Sequence, residues 1–150
     1  MNAIHNIARG VCIKNGNILL AYFREGKYYF LPGGHIEHGE SMLETLKREF
    51  MEEAKICVEP TEFVGIFEHV WINEGKTQHE INFIFRVETS ALHDIQSQVG
   101  HLEFRWIPAT EIQNIHFLPK EMLQTVQNIV RGKKGVYFST TIGGKVHVSK

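Results

Sequence analysis

The spacing of apolar residues divides the chain into short strands and two helices. Runs rich in β-branched and aromatic residues, separated by turn signals such as Asn15-Gly16, predict strands. These predicted strands cover residues 4–13, 18–23, 28–31, 56–58, 62–71, 80–88 and 103–107. Because strands outnumber helices and the helices fall between them, the pattern predicts an α/β sandwich built on a mixed sheet.

The first helix is specified at its start and along its buried face. Ser41 and Glu44 form a capping box, so the helix is expected to begin directly after Ser41. Its apolar stripe is expected to face the core and consists of Leu43, Leu46, Phe50 and Ala54. Before this helix, the glycine pair Gly33-Gly34 predicts a tight turn that allows close approach to a ligand.

A second helix and a hairpin are predicted in the last third of the chain. Pro119 is suited to open a helix, whose core face would hold Met122, Leu123, Val126, Ile129 and Val130. Residues 136–141 and 145–148 are expected to pair across Gly143-Gly144, and 89–100 to form a polar loop with a short helical piece. We therefore expect a single domain over 1–150, with 136–150 as a C-terminal hairpin extension.

Composition and charge narrow the class of partner. The 150 residues suit one domain, and the net charge of −1 gives no electrostatic footprint for duplex nucleic acid or an anionic membrane. No apolar run approaches the roughly 18 residues of a membrane-spanning helix, and the N-terminus lacks the apolar centre of a signal peptide. Cys12 and Cys57 are expected to be buried free thiols, which predicts a reducing, cytoplasmic location.

Three carboxylates crowd one side of the first helix. Glu49 lies three residues before Glu52 and four before Glu53, and residues at those spacings are neighbours on a helix surface. Like charges so placed repel by a few tenths of a kcal/mol per pair. A divalent cation would turn this repulsion into binding, because hard cations take carboxylate oxygens.

The stretch from Gly34 to Ile56 resembles the Nudix box, whose pattern is G-x5-E-x7-R-E-U-x-E-E-x-G-U with U an apolar residue. The matching residues are Gly34, Glu40, Arg48, Glu49, Phe50, Glu52, Glu53 and Ile56. Lys55 stands where the family has glycine. By this resemblance, which extends over roughly residues 4–131, the chain is identified as a member of the Nudix hydrolase family.

The resemblance implies a fold, a reaction and a cofactor. The fold would be the Nudix fold, an α/β/α sandwich with a mixed β-sheet. The reaction would be Mg²⁺-dependent hydrolysis of a diphosphate linkage in a nucleoside diphosphate derivative, with Mn²⁺ as the alternative ion. The metal ligands would be Glu49, Glu52, Glu53 and the backbone carbonyl of Gly34. The same three glutamates and Arg48 form the expected catalytic set, while Arg48 and Glu40 hold the loop and helix in shape.

Several points stay open at this stage. The substrate class includes nucleoside triphosphates, ADP-ribose and other nucleotide sugars, and the alternative function is a nucleotide-binding or sensor domain with little or no turnover. The partner is expected to be a nucleotide, and a homodimer is left open. Outside the box, Glu80, Glu103 and Arg24 are candidate substrate-binding residues, with Glu80 and Glu103 also candidates for a further ligand or base. For all three, solvated surface is the alternative.

Overall fold

The computed structural model describes residues 2–91, 95–143 and 146–149. The helices are α1 (Met42–Ala54) and α2 (Leu123–Val130), with short 3₁₀ helices at Ala109–Asn114 and Lys120–Met122. The strands, in chain order, are β1 (Ile4–Val11), β2 (Ile13–Lys14), β3 (Asn17–Phe23), β4 (Tyr28–Phe30), β5 (Gly33–His35), β6 (Glu59–Asn73), β7 (Lys76–Glu88), β8 (Leu102–Pro108), β9 (Val136–Thr140) and β10 (Val146–Ser149). Among the described residues, no helix has the length and apolar content required to cross a membrane.

The strands form two sheets, of which the larger is mixed. Its order is β10-β9-β6-β7-β1-β5, and the pairs β1–β7 and β6–β9 run parallel. In the smaller sheet, β3 pairs antiparallel with β2, β4 and β8. One apolar core joins the sheets to α1 and a second joins them to α2. This layered arrangement of helices and mixed strands is the predicted α/β class.

The strand predicted over residues 4–13 is wrong as a single element. β1 belongs to the larger sheet and β2 to the smaller one, with Cys12 between them. The carbonyl of Cys12 accepts a hydrogen bond from the amide of Leu19 at 2.9 Å. Backbone pairing therefore changes from β7 to β3 at this residue, which an uninterrupted apolar run does not reveal.

Other strand boundaries also differ from the prediction. The β6–β7 hairpin is longer at both ends than expected, and residues 56–58 form no strand, although Ile56 and Val58 are buried. The glycine pair lies in β5, paired with β1. A β-carbon on Gly33 would lie 1.9 Å from the carbonyl oxygen of Ala8, so glycine is required here for close approach between two strands.

Helix α1 begins as predicted and packs through most of its expected stripe. The Ser41–Glu44 capping box is present, and Leu46, Phe50 and Ala54 are buried in the core beneath α1. The prediction is wrong for Leu43, which is 45% exposed. Opposite the helix, a β-carbon on Gly10 would lie 2.9 Å from the ring of Phe50. The absent side chain at Gly10 therefore lets the helix lie close to β1.

The C-terminal segment completes the edge of the larger sheet. The predicted antiparallel pairing of β9 with β10 is present. Gly144 of the predicted turn and Lys145, the first residue of the second predicted strand, lie outside the described residues. Tyr137 of β9 is 2% exposed within the core beside α2. That helix starts at Leu123, one 3₁₀ turn after Pro119.

Two smaller predictions outside the strands also need correction. Cys12 is buried, but Cys57 is exposed between the buried residues Ile56 and Val58 in the connection from α1 to β6. The short helical piece predicted in 89–100 does not occur in 89–91 or 95–100, and 92–94 lie outside the described residues. Neither cysteine forms a disulfide.

Lys55 ends α1 in the left-handed conformation, with φ 52° and ψ 35°. A side chain in this region carries steric cost that glycine avoids. We expect Lys55→Gly to raise the free energy of unfolding by about 0.5–1 kcal/mol, measured by urea denaturation. Lys55→Ala is the control, because it removes the charge and keeps the strained β-carbon. An alanine variant as stable as the glycine variant would contradict this explanation.

Candidate active site

Arg48 connects the loop before α1 to the carboxylates on the helix. Its Nε and Nη2 atoms donate to the two carboxylate oxygens of Glu40 at 2.7 and 3.0 Å. Its Nη1 donates to Glu49 at 2.8 Å and to Glu52 at 3.3 Å. Nη2 also donates to the carbonyl of His35 at 3.1 Å. This forked network fixes Glu40 and Glu49 relative to each other, as the resemblance led us to expect.

Gly34 leaves space for the Glu49 carboxylate. A β-carbon at Gly34 would lie 2.3 Å from the carboxyl carbon of Glu49, so no other residue fits without displacing that group. Gly34 itself is held in β5 opposite Ala8 of β1. The contact therefore anchors the carboxylate of α1 against the edge of the larger sheet.

Glu49 and Glu53 form a close carboxyl pair. Burial, the charge of Glu49 and a hydrogen bond with Glu49 raise the pKa of Glu53 to about 7. Burial and the neighbouring charge both disfavour a second negative charge on this pair. Glu52 differs, because 59% of its side chain is exposed and it is bound to Arg48.

The carboxylate oxygens of Glu49 and Glu53 are suited to bind a hard divalent cation, because a cation between them relieves their repulsion. Within the described residues, however, no three carboxylate, imidazole or thiol side chains converge on one point suited to a metal ion. Glu49 and Glu53 are already adjacent, whereas Glu52 would have to leave Arg48 to join them.

A pocket of about 470 Å³ is lined by Arg9 but not by Glu49, Glu52 or Glu53. The Arg9 Nε donates to Asn82 at 3.0 Å and its Nη1 donates to the carbonyl of Leu31 at 3.1 Å. Burial lowers the pKa of Arg9, while the charges of Glu80, Glu53 and Glu49 oppose that shift. Arg9 is therefore a cation placed between the pocket and the carboxyl pair.

Aromatic and charged side chains form the pocket walls. His69 and Trp71 of β6 are stacked, with ring centroids 4.6 Å apart and an interplanar angle of 17°. Glu80 of β7 lies directly opposite His69 in the strand ladder. Tyr28 and Phe30 form another wall, and residues 118–122 close the outer side. A flat aromatic surface beside a cation is suited to a ligand that joins a planar ring to phosphate.

The remaining sequence candidates lie elsewhere. The Nε of Arg24 is 2.9 Å from a carboxylate oxygen of Glu103, which also pairs with Arg105. Neither Arg24 nor Glu103 lines the pocket. Substrate contact by these two residues stays a prediction, whereas Glu80 does line the pocket.

The model of the NUDIX domain matches residues 4–129 of this chain. The chain belongs to the Nudix family.

Relatives and solved structures agree with the Nudix assignment. The phosphatase NudJ of Escherichia coli strain K12 is 33% identical over 82 residues, which cover 54% of this chain and 52% of that protein. The chain thus aligns with about half the length of this relative. A MutT protein from Bacillus halodurans superposes with a TM-score of 0.71 at 24% identity, covering 95% of this chain and 94% of that one. An ADP-ribose pyrophosphatase from Streptococcus suis superposes with a TM-score of 0.66 at 15% identity, covering 91% of this chain and 98% of that one. The predicted Nudix fold is confirmed.

Sequence reasoning missed several residues of the Nudix pocket. Arg9 interrupts the buried face of β1 between Ile7 and Val11, and a charge at such a position is the signal that was available. Trp71 and His69 alternate on β6, but the folded chain was required to show that they line one pocket with residues 118–122. The glutamates of the Nudix box do not line this pocket.

The Glu40 carboxylate of the Nudix box should make the free energy of unfolding depend on pH in the acid range. Hydrogen bonds from Arg48 and then Thr45 lower its pKa to about 2 from the usual 4.5. The stabilisation is complete above pH 4.5 and is lost as pH falls toward 2. We expect Glu40→Gln to be less stable than wild type at pH 7, with the difference shrinking across that acid range in urea unfolding. A difference independent of pH would contradict this assignment.

Proposed function

We propose that this Nudix protein hydrolyses a diphosphate linkage in a nucleoside diphosphate derivative, with Mg²⁺ bound by Glu49 and Glu53 and Mn²⁺ as the alternative ion. The observation that carries the proposal is the Arg48 network, which joins Glu40, Glu49 and Glu52 of the Nudix box through one guanidinium. Nudix hydrolases act on pyrophosphate bonds, and the relative named above is a phosphatase.

Each group of residues has a distinct task in this proposal. Arg9 attracts the substrate phosphates and orients them toward the carboxyl pair. Arg48 holds Glu49 in place, and Glu49 and Glu53 would hold the cation, with a glutamate taking the proton from the attacking water. When bound, the cation would supply charge neutralisation at the phosphates and a lowered pKa for water. Glu52 would be a third ligand if its carboxylate turned away from Arg48.

The test is turnover of a panel that includes nucleoside triphosphates, ADP-ribose and other nucleotide sugars. We expect Mg²⁺-dependent release of nucleotide from at least one member. We expect that turnover to stop on addition of EDTA and to return with excess Mg²⁺ or Mn²⁺. Equal turnover with and without EDTA would exclude the metal from the proposal.

The alternative is a nucleotide-binding domain with little or no turnover. It predicts that nucleotides raise the melting temperature while the whole panel stays intact. Product formation that does not elute with the protein in gel filtration would point to a contaminating enzyme, so turnover is measured across the eluted fractions. A cytoplasmic location and a homodimer stay predictions.

A further inference from the structure

We propose that Glu80 reads the base of the substrate and selects guanine, through its two adjacent N–H donors. This inference rests on the proposed function, because it assigns the base end of the same pocket. The structural reason is that Glu80 places a carboxylate in a pocket proposed to hold phosphates. This carboxylate repels the polyanionic part of a ligand and belongs to no cluster suited to a metal ion among the described residues, so we assign it to a part of the ligand that offers hydrogen-bond donors.

The hydrogen bonds around Glu80 leave its oxygens available. The charge of Arg9 interacts with that of Glu80. The Arg9 Nε and Nη1 atoms, however, donate to Asn82 and to the carbonyl of Leu31. Among the residues that the structure describes, no side chain forms an ion pair with Glu80, not even His69 directly opposite it. Burial lowers the pKa of His69, so this neighbour offers Glu80 less positive charge than an exposed imidazole would. The Nδ1 atom of His69 is also buried without a partner among the described residues.

The surroundings of Glu80 indicate a planar ligand. His69 and Trp71 present flat stacked rings on β6 beside Glu80, and Tyr28 and Phe30 face the same space. Base stacking on aromatic rings is largely independent of which base is present, so these walls supply affinity and not selection. Selection therefore falls to the polar group on the rigid strand. Glu121 also lines the pocket, but it is exposed and belongs to a short 3₁₀ turn, where positioning is less precise.

The donor pattern of each base decides which one a carboxylate accepts. Guanine offers N1–H and the 2-amino group side by side, and these match the two oxygens of one carboxylate. Adenine and cytosine place a ring acceptor beside the amino donor, and uracil places its N3–H between two carbonyls. For those three bases, at least one carboxylate oxygen would meet another acceptor. A matched bidentate pair discriminates by about tenfold or more.

The experiment measures binding of GMP, AMP, CMP and UMP to the full chain by titration calorimetry in the presence of Mg²⁺. We expect GMP to bind at least about tenfold more tightly than the other three. In Glu80→Gln we expect that preference to disappear, with AMP gaining affinity relative to GMP, because an amide donates to N1 and accepts from the 6-amino group. Glu88→Gln is the matched control, since it removes the same charge from the exposed end of β7.

Any of three other outcomes would overturn the assignment of guanine selection to Glu80. Equal binding of the four nucleotides by wild type would show that the pocket does not select guanine. A preference that survives Glu80→Gln would assign selection to another residue. Equal weakening of all four nucleotides in this variant would show that Glu80 acts through the charge of Arg9. Turnover of the substrate panel is measured separately, so loss of the guanine preference with turnover intact leaves the proposed function standing.

Discussion

Replacing Glu53 by Gln should lower turnover by several orders of magnitude without unfolding the protein. Glutamine has nearly the same shape but cannot bind a hard cation as a carboxylate does, nor accept a proton from water. The fold should tolerate it, because the folded protein already favours a protonated Glu53 beside Glu49. In EDTA at neutral or higher pH, the melting temperature should be equal to or above that of wild type, since one of two repelling charges is gone. Steady-state turnover with saturating Mg²⁺ and differential scanning fluorimetry test the two expectations.

Glu59→Gln is the control for this substitution. Glu59 begins β6 and pairs with Lys47 on the outer side of α1, 3.1 Å away, with 69% of its side chain exposed. We expect this variant to keep its turnover. A Glu53→Gln protein with a near-normal rate and intact Mg²⁺ dependence would remove Glu53 from the site.

Replacing Arg48 by Met should reduce both stability and turnover. The guanidinium is 23% exposed and satisfies Glu40 and Glu49, whose side chains are 15% and 13% exposed. Removing it leaves two poorly hydrated carboxylates without their donor, and we expect a loss of about 2–3 kcal/mol in the free energy of unfolding. Turnover should fall by about 10- to 100-fold, because groups that orient metal ligands typically contribute that much. The Mg²⁺ concentration for half-maximal rate should rise as well.

Arg48→Lys separates charge from geometry. Lysine keeps the positive charge but cannot donate from a planar fork to Glu40, Glu49 and the carbonyl of His35 together. We expect it to recover part of the stability and little of the metal affinity. If lysine restored both, Arg48 would act through charge alone. If methionine left urea unfolding unchanged, the network would contribute nothing to the fold.

The sequence predicted best where one residue type satisfies a local requirement. The capping box at Ser41 and the spacing of Glu49, Glu52 and Glu53 depend on residues within a few positions of one another, and α1 has the predicted start. Lys55 occupies the glycine position of the Nudix pattern and takes the αL conformation that glycine favours. The Nudix resemblance then supplied the fold, which no local pattern specifies.

Prediction failed where distant segments decide the outcome. Cys12 passes the chain from one sheet to the other because Leu19 supplies its hydrogen-bond donor, and nothing in an apolar run distinguishes that residue. The pocket brings together β1, β4, β6, β7 and the turn before α2. Its cation, Arg9, is identified by charge on a buried face, but its neighbours depend on strand order. Glu80, a candidate from the sequence, lines this pocket, while its position opposite His69 depends on the β6–β7 register.

The packing of β9 bears on where a minimal folding unit would end. The family match stops at residue 129, yet Tyr137 lies beyond it and is 2% exposed in the core beside α2. A β-carbon at Gly65 would lie 2.5 Å from the Tyr137 carbonyl, so β6 is shaped to receive this strand. Shortening the chain to the family boundary would replace a filled site by a cavity and expose a free edge of β6. An assay on such a truncated chain would therefore report on a damaged core as well as on the missing residues.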